Sequence, residues 1–300
     1  MTRPKRHHFV PKWYLEKFVD PHSGCLQAYD KTRKYYWTPK PKQIMVKKDY
    51  NKQDTPKGID PDILEKSLGE WLEPEAKRCF ETLLTCPQNL TAADSAIMMA
   101  YLEHQRLCVP RQAETAKYSI REVLLRLALQ APPDIIPDEA KTALMTGGIG
   151  LEIKDHFRFH FMKMTTGFLI PYFARMEWEI VEVEKGSSFI ASDNPVSFVN
   201  IGSSPPLEPG IALVGTRVFF PLDFQHMLIL WHPEYKNNTA LPPLEPIPDP
   251  VLADGKIHIV YEKQFPDELV NSTNSIILNH AEKIIVGSSK EILENAADRI

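Results

Sequence analysis

The hydrophobic period of this chain changes past its middle, and that change limits the fold more than any other feature. Leu64, Leu68, Leu72, Ala76, Phe80 and Leu84 recur every four residues, the spacing of one helical face. From Glu177 the period is two: Trp178-Glu179-Ile180-Val181-Glu182-Val183-Glu184 alternates apolar and acidic residues, as a half-buried strand does. Helical and strand-like stretches that do not interleave predict an α+β fold.

Local signals divide the 300 residues into three sub-regions of a single domain spanning 1–300. Residues 1–58 form a basic hairpin segment. His7 to Pro11 reads as extended and Lys12 to Phe18 as a helical turn or two. Cys25–Asp30 and Lys34–Thr38 read as strands around Lys31-Thr32-Arg33, a hairpin. Residues 59–170 are helical. One helix is expected from Pro61 to Leu84, bent at Pro74. Thr91-Ala92-Ala93-Asp94 signals a capping box. Ile97, Tyr101, His104 and Leu107 share the next face, Pro110 kinks or splits the stretch that resumes through Ile120 to Leu127, and Leu151–Thr166 is a further helix.

Residues 171–300 form a mixed sheet, with strands at 178–184, Ser188–Ala191, Arg217–Phe220, His226–Trp231 and Lys256–Glu262. Ten prolines between 205 and 250 mark a strand-interrupted loop region. A helix from Asp267 to Leu278, a strand at Ile284–Val286 and a helix from Ser289 close the chain.

Charge is distributed unevenly. Residues 1–48 hold 12 Lys and Arg against Glu16, Asp20 and Asp30, a net of +9, while the other 252 residues carry −13. Trp13, Tyr14, Phe18, Tyr29, Tyr35, Tyr36 and Trp37 lie within the basic block. Cations for phosphates beside rings for bases point to nucleic acid as a partner of residues 1–48. The plainer reading packs the block against the acidic remainder, with its rings in a small core. No apolar leader follows Met1, no run reaches the roughly 20 apolar residues of a membrane span, and Cys25, Cys79, Cys86 and Cys108 form no C-x-x-C pair. The expectation is a cytoplasmic protein with free thiols and no membrane partner.

P-loop, G-x-G-x-x-G, G-x-S-x-G and H-E-x-x-H motifs are absent. His7-His8-Phe9-Val10-Pro11 resembles the opening of the His-Asn-His endonuclease motif, but after His22 the next histidine is His104. Ser192-Asp193-Asn194-Pro195 presents a carboxylate at the end of a short apolar run, or forms an Asx turn. Arg106 and Arg111 flank the Pro110 kink, placed to clamp a phosphate or to tie the helix to a neighbour. Glu152, His156 and His160 would share a helical face, better read as a surface stripe than as a metal site.

Taken together these segments resemble the uncharacterised prokaryotic family known as domain of unknown function four-two-three-eight. The resemblance rests on His7-His8-x-x-Pro11-x-x-Tyr14-Leu15-x-x-Phe18, Tyr29-Asp30-Lys31, Gln105, Ile190 through Val196, Phe220-Pro221-Leu222 and Asn279. Where relatives often carry Arg-Thr-Pro, this chain has Cys108-Val109-Pro110. The resemblance implies which residues to watch and supplies no activity.

Two readings follow. In the first, a metal-dependent phosphodiesterase or nuclease uses His7, His8, Asp193 and Gln105 as its catalytic set. His8 and Asp193 would hold a divalent metal, while Tyr14, Asp30, Arg106, Ser192 and Asn194 would bind substrate. In the second, the chain is a non-catalytic nucleic-acid- or protein-binding module of a mobile-element or defence system. A metal-free acid–base pair of His8 and Asp193 is a third arrangement.

Overall fold

A computed structural model describes residues 6–53, 55–202, 208–232, 257 and 259–298. The first residues of the basic block, most of the proline-rich stretch and the start of the strand expected from Lys256 lie outside the described residues.

The N-terminal third runs β1 (Arg6–His8), α1 (Lys12–Leu15), β2 (Gln27–Asp30), β3 (Tyr35–Trp37) and β4 (Val46–Lys48). The helical part follows as α2 (Ile63–Ser67), α3 (Glu73–Thr85), α4 (Ala92–Leu107), α5 (Pro110–Gln130), α6 (Asp138–Thr146), α7 (Phe157–Thr165) and α8 (Ile170–Arg175). Then come β5 (Glu177–Val183), β6 (Ala191–Ser192), β7 (Ser197–Val199), β8 (Arg217–Pro221), β9 (His226–Trp231), β10 (Ile259–Phe265), α9 (Asp267–His280), β11 (Ile284–Gly287) and α10 (Lys290–Ala297). The fold is α+β, as the change of period requires. No helix among the described residues is long and apolar enough to cross a membrane.

The largest sheet has the order β10-β5-β9-β8-β7, with only the β10–β5 pair parallel. A second sheet, β3-β2-β11-β6, sets the predicted N-terminal hairpin against a strand from the far end of the chain. β1 and β4 make a separate antiparallel pair in which His7 lies opposite Lys47.

Two prolines fall at helix boundaries. α2 runs on through a π-helical turn, Leu68–Leu72, into α3, with Pro74 in the first turn of α3. Pro110 splits the long stretch, opening α5 after α4 ends at Leu107, where its missing N–H costs nothing. α7 begins at Phe157, six residues later than expected from Leu151, so Glu152 lies outside the helix and the Glu152–His156–His160 face does not form. The capping box is present: the Asp94 N–H donates to Thr91 Oγ1 at 3.2 Å and the Thr91 N–H to Asp94 Oδ2 at 2.9 Å.

The main core explains the aromatics of the basic block. α1 inserts between α3, α4 and β8: Tyr14 stacks on Phe220 at 5.4 Å, and Trp13 meets Phe80 edge-on at 5.3 Å. Tyr29 stacks on Tyr36 across the hairpin at 4.4 Å. Rings packed this way gain burial and edge or offset contacts, and they are not free to stack on bases. Tyr35, 60% exposed, is the exception. A second core fills the space beneath α9 and α10, with Val181, Phe189, Ile229, Val270, Ile277 and Leu293.

Candidate functional site: two polar centres and a basic cleft

The residues expected to form one site are divided between two places. The first is built around the His-His segment. His7 is fully buried, and its Nδ1 accepts the Asn51 N–H at 2.7 Å. That bond makes Nδ1 the acceptor and leaves the proton on Nε2, which is buried without a partner. His8, on the next position of β1, lines a small cavity with Asn51, Glu65, Glu73, Tyr101, His104, Gln105 and Cys108. Burial pushes the His8 pKa down, opposed by the Pro41 carbonyl and reinforced by Arg6 and Lys12. Its Nε2 is also buried without a partner.

Gln105 does reach the His-His segment, but as a holder: its amide donates to the Phe9 carbonyl at 2.9 Å. His104, beside it, is held down to about 4 by burial and by the Arg158 charge. Burial, helped by Glu65, raises Glu73. The cavity has a volume of about 10 Å³, room for about one water molecule. A substrate does not fit there.

The second centre lies at the β6–β7 connection and the end of α9. Asp193 is buried and its carboxylate is consumed by backbone. Oδ1 accepts the Glu282 N–H at 2.8 Å, and Oδ2 accepts those of Lys283 at 2.8 Å and Ile284 at 2.9 Å. Burial outweighs these bonds and pushes its pKa up to about 6. Asn194 donates to the His280 carbonyl at 2.9 Å, and Ser192 Oγ accepts the Asn194 N–H at 3.2 Å. The segment therefore clamps the turn from α9 into β11 through bonds to distant backbone, unlike the local Asx turn, and only the Ser192–Asn194 bond is local. Asp30 closes its own hairpin by accepting the Thr32 and Arg33 N–H groups, each at 3.0 Å, and meets Lys283 at 3.4 Å.

Arg106 is a clamp as expected, with its ligand supplied by the chain itself. Its guanidinium pairs with Glu208, donates to the Val196 carbonyl at 3.1 Å and lies over the Phe198 ring at 4.3 Å. Arg111 and Gln112 each hold the same carboxylate at 3.0 Å. Tyr14 belongs to the core, its hydroxyl donating to the Pro221 carbonyl at 2.8 Å. These two residues therefore have protein partners where substrate contacts were expected.

The donor set does not fit the expected metal. Asp193 and Asp30 spend their oxygens on backbone N–H groups and Lys283, away from the cavity that holds His8. Among the described residues no group of three or more His, Cys, Asp or Glu is arranged to hold a metal ion. No step is derived through one.

Asn51 links the His-His cavity to a more open place. It accepts from Arg158 at 3.3 Å and donates to Glu65 at 2.6 Å. Arg158, on α7, also donates to the Tyr50 carbonyl, and its guanidinium lies between the Tyr50 ring at 3.8 Å and the Phe159 ring at 4.1 Å. Its Nη1 has no partner. Arg158 lines a cleft of about 260 Å³ with Lys47, Lys48, Lys52 and His156 on its rim, alongside Asp49, Glu114 and Asp155.

Left-handed backbone at Met45 (φ 53°) and Asp49 (φ 52°) brackets β4 and turns the chain sharply on either side of the lysines. Strain of this kind concentrates at functional sites. Lys47, Lys48 and Lys52 are exposed, and among the described residues none makes an ion pair. Sequence reasoning counted Lys47 and Lys48 within the basic block but passed over Arg158. The available signal was Phe157-Arg158-Phe159, a cation between two rings.

No curated protein and no solved structure matches the chain. A family profile matches residues 6–291, nearly the whole chain, and the chain belongs to that family, described as protein of unknown function (DUF4238).

Proposed function

We propose that this protein binds nucleic acid through the cleft between β4 and α7, as a module that grips the phosphate backbone without cleaving it. The observation that carries this reading is the unpaired positive charge gathered there: exposed Lys47, Lys48 and Lys52 around buried Arg158, whose Nη1 lacks a protein partner. Lysines with no internal carboxylate cost little to bring against phosphate, and counterion release drives the association.

Two further observations favour binding over hydrolysis. His8, whose Nε2 is open, faces a cavity of about 10 Å³, and Asp193, the carboxylate expected to share a metal with it, is bonded elsewhere. The block's aromatics are mostly packed inside, so recognition rests on phosphates and is insensitive to base sequence.

The test is fluorescence anisotropy with labelled single-stranded and duplex oligonucleotides of unrelated sequence across roughly 50–200 mM salt. The expected outcome is saturable binding with a log–log salt slope of about −2 to −3 on single strands, for three to four neutralised phosphates. Lys47→Ala/Lys48→Ala/Lys52→Ala should abolish most of that slope while keeping the thermal transition. Binding that ignores salt, or survives the triple substitution unchanged, rejects the reading. Metal-dependent cleavage of the same oligonucleotides would return the hydrolase reading in its place.

A further inference from the structure

The distal part of α5, the following loop and α6 form an arm with no interior. From Lys117 to Phe157 no residue is buried. α5 is anchored through Gln112, Ala113 and Ala116 and then leaves the body. At about 1.5 Å per residue, the remaining turns carry it roughly 20 Å outward, and α6 returns alongside.

The arm is nevertheless rich in apolar side chains. Leu124, Leu125, Leu127, Ala128, Ile136, Leu144 and Leu151 line a groove of about 360 Å³. Leu127 is 57% exposed, Ile135 69% and Met145 66%. Two helices of this length do not hold together in water on propensity alone; they need an apolar face covered. An exposed patch of this extent marks an interaction surface.

We infer that the occupant of this groove is the arm of a second copy of the chain, giving a two-fold dimer with a four-helix interface. Charge supports that occupant. Distal α5 carries Arg121, Glu122 and Arg126, while the loop and α6 carry Asp134, Asp138, Glu139 and Lys141. Asp138 pairs with Lys141, and among the described residues Arg121, Arg126, Asp134 and Glu139 have no ion-pair partner, so the free charge is mostly positive on α5 and negative beyond it. In a two-fold interface every contact occurs twice. Laying α5 of one copy along α6 of the other sets arginines against acids on both sides. Size agrees as well: residues 118–151 supply the roughly 20–30 residues a side of a standard stable interface. The arm lies outside the cleft proposed to bind nucleic acid, so the two ideas stand or fall separately.

Sedimentation equilibrium of the full chain at about 1–100 µM, without nucleic acid, tests this. The expected mass is twice that of the chain. Leu124→Glu/Leu127→Glu should raise the dissociation constant about 30-fold or more, the loss of a hot spot of about 2 kcal/mol. Both side chains are solvent-facing in the single chain, so its circular dichroism should persist. Arg126→Glu should weaken association, and adding Glu139→Arg should restore it, a rescue that a merely structural role for the arm would not give. A wild-type monomer at 100 µM overturns the proposal, and so does a dimer untouched by Leu124→Glu/Leu127→Glu. A monomer that co-sediments with anionic vesicles overturns it in favour of a membrane surface.

Discussion

Arg106 and Arg158 are both buried arginines, and their surroundings differ in one respect. Arg106 meets a carboxylate: Glu208 is gripped by Arg106, Arg111 and Gln112 together. Among the described residues Arg158 meets a carbonyl, an amide oxygen and two rings, and no carboxylate there lies within ion-pair distance. A charge that has found its counter-charge inside the chain holds the fold together. A charge that has not, beside an open cleft rimmed by lysines, is the one left for an external anion. The same division separates Asp193, whose oxygens are occupied, from His8, whose Nε2 is not.

The sharpest way to break this comparison is to empty the first clamp. Glu208→Ala leaves Arg106 without its anion in a water-poor setting and Arg111 with only the Glu282 carboxylate at 4.0 Å, and breaking a buried pair from one side costs about 3–5 kcal/mol. Urea denaturation should show a loss of that order, with oligonucleotide affinity of the still-folded fraction unchanged. A loss below about 1 kcal/mol would mean that Glu208 is dispensable to the clamp.

A second test uses pH, because the two centres titrate in opposite senses. His104 is held down to about 4, so between about pH 4 and 6.5 the unfolded chain binds more protons, and stability rises with pH. Its contribution is complete above 6.5 and lost as pH falls through 4. Asp193 is pushed up to about 6, so the folded chain binds the extra proton between about 3.8 and 6. Its contribution is present at low pH and lost as pH rises through 6. Each is worth up to about 3 kcal/mol at about 1.4 kcal/mol per unit. In the wild type these two contributions largely offset each other, and the remaining slope comes from other groups, His8 and His280 among them, which burial also holds down. Asp193→Asn should give a stability that climbs with pH, and His104→Gln one that declines. Parallel profiles for the two variants would show that the centres do not oppose each other.

What was legible in the sequence follows the range of the forces involved. The hairpin of β2 and β3, the Thr91–Asp94 capping box and the period change are local patterns, and all three appear. Pro110 splits the long helical stretch, one of the two outcomes its position allows, whereas the π-helical turn at Leu68–Leu72 just ahead of Pro74 carries no sequence signal, and a proline's effect depends on whether its missing N–H falls in a helix interior or a first turn. Long-range partners were invisible: β2 finds β11 some 255 residues on, and Arg106 finds Glu208 across 102. No spacing rule encodes either pairing. Gln105 was expected in one site with the histidines, to orient a phosphate, and only the structure shows its amide spent on the Phe9 carbonyl. Arg158 carries no local pattern beyond its place between Phe157 and Phe159, and the face that Glu152, His156 and His160 would share needs a helix that begins only at Phe157.

The second side of the comparison is sharpened at Arg158 itself. Arg158→Met keeps an apolar stem between Tyr50 and Phe159 but removes the charge and both hydrogen bonds, for a stability loss of about 2 kcal/mol. Oligonucleotide affinity should drop by about tenfold, the worth of one desolvated charge-assisted contact. Arg158→Lys should recover part of the affinity and little of the stability, because an ammonium keeps the charge without the planar stacking. Equal affinity for all three proteins would place the phosphate contacts on the rim lysines alone.

The smallest effect is expected at the residue that first drew attention. His8 lines a space for one water and touches nothing on the rim of the basic cleft, so His8→Gln should change oligonucleotide affinity by less than about twofold, or 0.5 kcal/mol. The stability cost should be about 1 kcal/mol, that of refitting one buried polar side chain. The side chain's own titration makes the measurement decisive. Burial holds His8 below its ordinary pKa, so a catalytic role would appear as an activity that rises with pH as the imidazole loses its proton and vanishes in the glutamine variant. If oligonucleotide binding alone is seen, flat in pH and indifferent to His8, then the paired histidines order the β1–β4 ribbon through Asn51, and the lysines that ribbon carries do the binding.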